Sequence, residues 1–315
     1  MSCVHPTGTG GRATSVDQIL QAMGALKMGR AVAVLRCTLL AFALAACALQ
    51  PAPPQARTYR ILITNDDGIE HEGITALAAA LGQLGEVVVV APKTDQSGKS
   101  HSISILNGVA SVMPVMRDGV RFGYAVDGTP ADCVLLALYW PPIAGKFDVV
   151  VSGINYGTNV GVASLYSGTV GATVEGALAD IPSVAFSQDA RLKEYGRSAA
   201  IAAKIVERVL KEGVPSRSFL NVNIPAGELK GFRVAPMGDS FYVLDRFETF
   251  GAASDGSTGV KLKLKRGTEF LPERDTDLYA DGYVTLTPLQ ADWTARDFIE
   301  SLQKWSLELP AASAK

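Results

Sequence analysis

Continuous apolar runs alternate with amphipathic stretches between residues 58 and 232 of the 315-residue chain. The apolar runs are short and rich in Ile, Leu and Val, which is typical of parallel strands covered on both faces. The longer stretches at residues 73–84 and 198–210 have the apolar spacing of helices. This alternation predicts an α/β fold: a three-layer αβα, Rossmann-like core at residues 58–232 with a mainly parallel sheet. The predicted strands lie at residues 61–63, 87–92, 147–151 and 219–224.

The pattern changes beyond residue 232. Residues 260–265 alternate apolar and charged side chains with a period of two, which predicts an antiparallel, half-exposed strand. Residues 251–259 are rich in Gly and Ser and predict a flexible loop, and residues 294–307 predict a terminal helix. We therefore expect residues 233–315 to contain hairpins, a last strand and this helix, as part of the same domain.

The first 57 residues have the features of an export signal. A basic segment precedes an apolar run at residues 37–46 that is too short to span a bilayer but suits a signal peptide. The run ends in Leu44-Ala45-Ala46-Cys47, which resembles the bacterial lipobox. We predict a signal segment with an upstream extension at residues 1–47, lipidation of Cys47, and a Pro-rich linker at residues 48–57. The protein would then be a cell-envelope lipoprotein attached by its lipid and facing the periplasm. The alternative is an N-terminal extension of a cytoplasmic protein.

Side chains with oxygen atoms follow three of the predicted strands. Asp66 and Asp67 follow the first strand, Ser97 lies in a segment rich in hydroxyls after the second, and Asn155 follows the third. Parallel sheets bind ligands beyond the carboxyl ends of their strands, so these tips predict one polar crevice. An isolated Asp-Asp-Gly is usually a turn. In a shared crevice, however, two adjacent carboxylates repel each other, and a bound cation allows both to stay ionised.

A possible anion site precedes the small-residue segment at residues 170–178, which predicts a tightly packed helix. Its start, Ser167-Gly168-Thr169, would leave backbone N–H groups at the positive end of the helix dipole, where a phosphate can bind. The alternative is that Ser167 or Thr169 only caps the helix, and the two roles are compatible.

Six short motifs occur in order between about residues 60 and 290. They are Asn65-Asp66-Asp67-Gly68, Ala91-Pro92 through Ser97-Gly98 and Ser100, Gly128-Thr129-Pro130-Ala131-Asp132-Cys133-Val134, Ser152-Gly153-Ile154-Asn155 through Gly157 and Asn159, Tyr166-Ser167-Gly168-Thr169-Val170, and Gly282-Tyr283-Val284-Thr285-Leu286-Thr287-Pro288-Leu289. In order and spacing they resemble the motifs of the SurE family of metal-dependent nucleoside-monophosphate phosphatases.

The resemblance implies a SurE-like fold and a 5′-nucleotidase or acid-phosphatase-like hydrolase. The expected substrates are nucleoside 5′-monophosphates, with 3′-monophosphates and short polyphosphate as further candidates. In such enzymes one divalent cation per subunit is held by residues that correspond here to Asp66, Asp67, Ser97 and Asn155. All four ligands are hard oxygen donors, which favours Mg²⁺ or Mn²⁺ over zinc. Asp66 and Asp67 are also the predicted catalytic residues, because either can assist the attacking water.

The predicted phosphate or substrate contacts are Asn159, Ser167, Gly168, Thr169 and His101, the last of which lies in the segment that contains Ser97. Family members use hairpins and a C-terminal arm to assemble, so a homodimer or homotetramer is implied. Most members are cytoplasmic, which is the alternative location for this chain.

Other functional classes fit the sequence less well. The chain is close to charge balance, with a formal net charge of −2, and contains no basic run with interleaved aromatics, so no nucleic-acid polymer is expected. A dinucleotide-dependent oxidoreductase would need G-x-G-x-x-G after the first strand, where this chain has Asn-Asp-Asp-Gly. A phospho-aspartyl phosphatase would need its two Asp residues two positions apart. A non-catalytic nucleotide- or phosphate-binding envelope lipoprotein remains the alternative, but all four predicted metal ligands are present.

The chain departs from the family pattern in two places. His71-Glu72-Gly73 replaces the usual Ala-Pro-Gly after the paired Asp residues, and residues 236–259 match the family poorly. Among the other polar positions, we expect Cys133 to pack as a small core residue and Asp127 and Asp132 to serve in turns or caps. The role of Glu175 is left open.

Overall fold

The computed structural model describes residues 58–252, 255–307 and 309. The predicted signal segment, Cys47 and the Pro-rich linker lie outside these residues. In the described part, nine strands form one sheet in the order β3-β4-β2-β1-β5-β6-β7-β11-β8, and β9 and β10 form a separate hairpin. The strands are β1 Tyr59–Thr64, β2 Gly85–Pro92, β3 Val112–Arg117, β4 Val120–Val126, β5 Val149–Tyr156, β6 Ser183–Gln188, β7 Ser218–Ile224, β8 Phe232–Val234, β9 Tyr242–Ala252, β10 Thr258–Arg266 and β11 Val284–Gln290.

The central strands β4-β2-β1-β5-β6-β7 are all parallel, as the apolar runs predict. Helices cover both faces of the sheet, with α1 and α4 in contact on one face and α2 and α3 in contact on the other. The helices are α1 Glu72–Leu81, α2 Pro130–Tyr139, α3 Gly168–Leu178, α4 Gly196–Glu212, α5 Asp275–Ala280 and α6 Arg296–Gln303. The predicted three-layer α/β fold is confirmed.

The alternation of side chains along β1 shows why this strand is apolar throughout. Ile61 and Ile63 pack into the core beneath α1 and α4, while Leu62 packs into the core beneath α2. All three side chains are fully buried. A strand buried on both faces cannot alternate apolar and polar residues, so the functional side chains begin where the strand ends.

The motif from Gly128 to Val134 builds the start of α2. Thr129 and Asp132 form a reciprocal capping box, with Pro130 in the first helical turn. Burial tends to raise the pKa of Asp132, but hydrogen bonds from the Ser104 hydroxyl and from the backbone N–H groups of Thr129, Ile105 and Ser104 hold it below the usual range. Asp132 is therefore a structural cap, as expected, and Cys133 is a fully buried free thiol in the core.

The C-terminal region joins the main sheet. β11 pairs antiparallel with β7 and parallel with β8, so it lies between two strands that precede it in the chain. Residues 260–265 lie in β10, which pairs antiparallel with β9. Because β9 continues to Ala252 and β10 starts at Thr258, the predicted loop at residues 251–259 was too long. The predicted terminal helix was also too long, since α6 covers only residues 296–303.

The hairpin of β3 and β4 lies at the other edge of the sheet and had no counterpart in the predicted elements. Within the described residues, no helix has the length and apolar character needed to cross a membrane.

Candidate active site

The sheet order places the ends of the three strands that carry the predicted functional residues side by side. β1 lies between β2 and β5, all three are parallel, and their carboxyl ends therefore meet at one edge. The segment after β2 is tied to the end of β1, because the Gln96 N–H donates to the Asp66 carbonyl at 2.7 Å and the Ile69 N–H donates to the Pro92 carbonyl at 2.8 Å. Asn65 stabilises the turn by donating its side-chain amide to the Gly68 carbonyl at 2.8 Å.

Asp66 is buried and held in place by α3. Its carboxylate accepts hydrogen bonds from the hydroxyl and the backbone N–H of Thr169. Gly168 makes this close approach possible, since a Cβ at that position would lie 2.9 Å from the Asp66 Cβ. The strand end and the helix N-terminus therefore form one site, although Asp66 and Thr169 are 103 residues apart in the chain.

Asp67 lies at the more open side of the same edge. Its Oδ2 accepts a hydrogen bond from the Tyr156 N–H at 3.1 Å, which links the ends of β1 and β5. Burial, followed by repulsion from Asp66, raises the pKa of Asp67 to about 7. Burial also raises the pKa of Asp66, against the effect of its bonds from Thr169. Within the described residues, neither carboxylate has a Lys or Arg ion-pair partner, so both negative charges lack compensation.

The remaining predicted metal ligands keep free oxygen lone pairs. The Asn155 side-chain N–H donates to the Gly157 carbonyl at 2.8 Å, which leaves its Oδ1 available as a ligand. The Ser97 hydroxyl donates to Asp95 Oδ1 at 2.6 Å and can still accept through its oxygen. The donor set is two carboxylates, an amide oxygen and a hydroxyl, which suits a hard divalent cation. No cluster of three or more His, Cys, Asp or Glu with metal-binding geometry occurs in the described part of the chain, consistent with this mixed set.

Asp95 is a third carboxylate that the sequence reasoning missed. It is exposed, orients Ser97 through both the hydroxyl and the backbone N–H, and its charge raises the pKa values of Asp66 and Asp67. Its spacing, two residues before a predicted ligand, is that of an Asx turn, and this was the signal available in the sequence.

His71, one of the departures from the family pattern, caps α1. Its Nδ1 accepts a hydrogen bond from the Gly73 N–H at 3.2 Å and lies 3.8 Å from Asp67 Oδ2. A nitrogen that accepts a hydrogen bond carries no proton, so His71 does not neutralise Asp67 in this arrangement. Burial lowers the pKa of His71, which further favours the neutral ring.

The predicted anion site, Ser167-Gly168-Thr169, lies at the start of α3 beside Asp66, and we call it the phosphate seat. Ser167 is buried and caps the helix, since its Oγ accepts a hydrogen bond from the Val170 N–H at 3.1 Å. Thr169 is bonded to Asp66, so it orients a predicted metal ligand. The Gly168 N–H has no intramolecular acceptor among the described residues. The capping role and the anion site are thus compatible, with Gly168 as the free donor at the positive end of the helix.

Asn159 is held in a buried polar network at the ends of β6 and β7. Its side chain donates to the Ser187 hydroxyl at 2.9 Å, and its backbone N–H donates to Asn223 Oδ1 at 2.7 Å. Asn221 donates to the Asn159 carbonyl at 2.8 Å. Asn221 and Asn223 fix the loop after β5 and were not singled out from the sequence, where they read as part of an ordinary strand.

His101 lies against α3, with its Cα beside Gly171 and its ring bonded to Glu175. Its Nε2 is 2.5 Å from Glu175 Oε1, and Glu175 lies seven residues, or ~10 Å along the helix, beyond Gly168. The ring therefore extends along α3 from its first turn toward its second. The structure gives Glu175 a defined role, the orientation of the His101 ring.

The match to a protein family decides the identity of this site. The family model described as "Survival protein SurE" matches residues 61–243, more than half of the chain. The chain belongs to the SurE family. The matched region contains the ends of β1, β2 and β5 and the start of α3, so the SurE match covers every residue of the carboxylate site described above.

Individual SurE proteins match over nearly their whole length. The 5′-nucleotidase SurE of Chlorobium phaeobacteroides is 38% identical over 261 residues, covering 81% of this chain and 99% of that protein. The 5′-nucleotidase SurE of Syntrophobacter fumaroxidans is 39% identical over 258 residues, covering 79% and 100%. The crystal structure of the SurE protein from Aquifex aeolicus has 36% sequence identity and a TM-score of 0.67, covering 78% of this chain and 98% of that one.

Proposed function

We propose that this protein is a metal-dependent phosphomonoesterase that hydrolyses nucleoside 5′-monophosphates to nucleoside and phosphate. Membership of the SurE family and the 5′-nucleotidase names of its relatives support this reaction. Nucleoside 3′-monophosphates and short polyphosphate are further candidate substrates. A non-catalytic phosphate-binding protein is not favoured, because all four predicted metal ligands are present and belong to the ends of neighbouring parallel strands or the segments that follow them.

One observation carries the proposal. Two adjacent carboxylates, Asp66 and Asp67, are placed at the carboxyl edge of the sheet without a cationic partner in the described structure, directly beside a helix N-terminus. Uncompensated buried charge is destabilising, so such an arrangement is retained where a cation binds it. The helix N-terminus adds a site for the phosphate oxygens next to that cation.

Asp66, Asp67, Ser97 and Asn155 would hold the divalent cation, for which we propose Mg²⁺ or Mn²⁺ on the basis of their hard oxygen donors. When bound, such a cation neutralises phosphoryl charge and promotes ionisation of water. The protein supplies the rest: Thr169 fixes the Asp66 carboxylate, and the Gly168 N–H orients a phosphate oxygen. Asp67 is the more open carboxylate and is our candidate to accept a proton from the attacking water.

A phosphate-release assay over a panel of nucleoside monophosphates tests this function. Dialysis against EDTA should abolish release, and Mg²⁺ or Mn²⁺ should restore it. Undiminished activity after chelation would exclude the metal-dependent mechanism. Absence of phosphate release from every ester in the metal-loaded enzyme would favour the binding-protein alternative.

We also propose a homodimer or homotetramer that uses the C-terminal hairpin and helix. β9 and β10 expose Phe247, Leu262 and Leu264, each at least half accessible to solvent, and α6 exposes Phe298 and Leu302. Exposed apolar surface of this kind usually marks an interface. Light scattering of the purified full chain would measure the subunit number.

For location, the proposal is a cell-envelope lipoprotein anchored at Cys47, with a cytoplasmic enzyme as the alternative. The signal-like sequence before Cys47 supports it. Fractionation of cells labelled with palmitate should find the protein labelled in the membrane fraction. A soluble, unlabelled protein that retains the residues before Cys47 would refute export.

A further inference from the structure

A cavity lies beside the first two turns of α3. Its volume is about 200 Å³, the volume of roughly seven water molecules. Val170 and Val174 from α3 and Phe219 from β7 supply apolar surface, and Leu289 from β11 contributes to its lining. We call this cavity the flank pocket.

The flank pocket shares Ser167 with the predicted phosphate seat. Ser167, the residue that caps α3 beside Gly168, lines the pocket as well. Ser100 also lines it and is fixed there by two bonds, from its hydroxyl to the Leu165 carbonyl at 2.6 Å and from its N–H to the Tyr166 carbonyl at 3.1 Å. The pocket therefore begins one residue from the Gly168 N–H, the proposed phosphate donor.

His101 forms one wall of the flank pocket and is held rigidly. Its Nε2 bonds to Glu175, whose side chain is only 8% exposed. Gly171 lets the chain lie directly on α3 at this point, because a Cβ there would lie 2.4 Å from the Ser100 carbonyl oxygen. An imidazole fixed by a buried carboxylate is a preorganised surface, which lowers the entropic cost of binding.

Trp293 contributes an indole ring to the lining of the same pocket. It follows β11 and is 76% exposed, so a large apolar ring remains in solvent beside an apolar cavity. Aromatic side chains of this kind are the usual stacking partners of nucleobases, since every base presents a π-face.

We propose that the flank pocket binds the nucleoside part of the substrate, with Trp293 and His101 contacting the base. This inference rests on the proposed function and extends it to substrate selection. The volume is below the ~300–1,000 Å³ of pockets that enclose drug-sized ligands. It therefore suits one base and part of a ribose, and not an oligonucleotide. The mostly apolar lining discriminates nucleotides from small phosphate esters, which reach only the metal and the helix N-terminus.

Substrate selectivity of three variants tests the proposal. We define a selectivity ratio as kcat/KM for a nucleoside 5′-monophosphate divided by kcat/KM for a small ester without a base, such as glycerol phosphate. Trp293→Ala should lower this ratio about 10-fold, as expected for loss of one aromatic–base stack. Trp293→Phe, which keeps a ring, should retain most of it. Trp140→Ala removes another partly exposed tryptophan, remote from this pocket at the end of α2, and should leave the ratio unchanged.

His101→Ala should also lower the selectivity ratio, mainly through a higher KM for the nucleotide. An unchanged ratio in both Trp293→Ala and His101→Ala would overturn the proposal. A ratio that falls in Tyr156→Ala instead would also overturn the proposal. Tyr156 lies beside Asp67 and would then be the residue that contacts the base.

Two further outcomes are distinguishable. If Trp293→Ala changes the subunit number in light scattering and leaves the ratio unchanged, the pocket belongs to a subunit contact and the proposal fails. If the wild-type enzyme hydrolyses neither substrate in the presence of metal, the proposed function itself has failed. A nucleotidase whose ratio is insensitive to the flank-pocket variants would refute only the present inference.

Discussion

Two regions of this protein break the ordinary rules of burial in opposite ways. At the carboxyl edge of the sheet, Asp66 is almost completely buried and Asp67 largely so, although both are acidic. On the C-terminal hairpin and α6, large apolar side chains such as Phe247 and Phe298 are about half exposed. Buried charge and exposed apolar surface are both unfavourable for an isolated chain.

The difference indicates what each region binds. Under our proposal, the buried carboxylates bind a cation, which is small and suits a site made of strand ends and a helix N-terminus. The apolar side chains of the hairpin and α6 would need a broad surface to cover them, which we propose a second subunit supplies. The first region would then support the chemistry, and the second would support assembly. Four experiments separate these two roles.

The largest effect is expected at the carboxylate site. Asp67→Asn removes one of the two charges that hold the cation and should lower kcat/KM at least ~10²-fold, as loss of a strong electrostatic stabiliser does. Asn155→Ala should be inactive as well, whereas Asn155→Asp keeps an oxygen ligand and tests its charge. Phosphate release and metal titration by calorimetry measure both effects. Full activity of Asp67→Asn would show that the site is assigned wrongly.

A smaller effect is expected on the assembly surface. Leu262 in β10 pairs with Phe247 in β9, and both are half exposed or more. Leu262→Glu places a charge in the proposed interface and should weaken self-association ~30-fold, corresponding to ~2 kcal/mol. Sedimentation measures the subunit number. Lys263→Gln, at the adjacent position of the same strand, is the matched control, because both substitutions make the hairpin one charge more negative.

If Leu262→Glu and Lys263→Gln assemble equally well, the hairpin is not the interface. The carboxylate site lies on different elements, so a dissociated Leu262→Glu protein should still bind the metal ion. Loss of metal binding on dissociation would mean that the two regions are not independent.

The third experiment measures the cost of the buried charge. The pKa of Asp67 is about 7 in the folded protein, against an ordinary value of 3.8. The folded state therefore binds more protons than the unfolded state between these values, so stability without metal is lost as the pH rises from about 4 to 7. In EDTA at pH 8, Asp67→Asn should unfold at a higher denaturant concentration than wild type. Its free energy of unfolding should be larger by ~1–3 kcal/mol.

This difference should shrink as the pH falls from about 7 and disappear below about 4, where Asp67 becomes protonated in the unfolded state as well. It should reverse when Mg²⁺ is added to wild type. Equal stability of the two proteins at pH 8 in EDTA would show that the charge of Asp67 is compensated in some other way.

The smallest effect is expected for His101. Because its ring is bonded to Glu175 and extends along α3, His101→Ala should lower the rate with nucleotides by less than ~10-fold. Rapid quench of this variant and wild type checks for a covalent intermediate. Complete loss of activity, together with a phosphorylated wild-type protein, would point to nucleophilic catalysis by a side chain.

The sequence predicted the central sheet well because its signal is local. A strand buried on both faces must be apolar throughout, and Ile61, Leu62 and Ile63 show this directly. The sequence did not predict the β3–β4 hairpin. Its strands combine apolar and exposed residues in no regular alternation, as Val112 to Arg117 shows. The sequence also overestimated the loop after residue 250, because Gly and Ser signal a turn but not its length.

The sequence by itself determined that carboxylate, hydroxyl and amide groups follow three predicted parallel strands. Because the carboxyl ends of parallel strands lie at one edge of a sheet, it also predicted that these groups share an edge. Only the tertiary structure decided their partners. The bonds from Thr169 to Asp66, from Tyr156 to Asp67 and from His101 to Glu175 join residues 74 to 103 positions apart. The Tyr156–Asp67 bond depends on β1 and β5 being neighbours in the sheet, and the other two depend on how α3 packs against it. That packing is fixed by glycines and core side chains across the whole domain, so it leaves no local pattern at either partner.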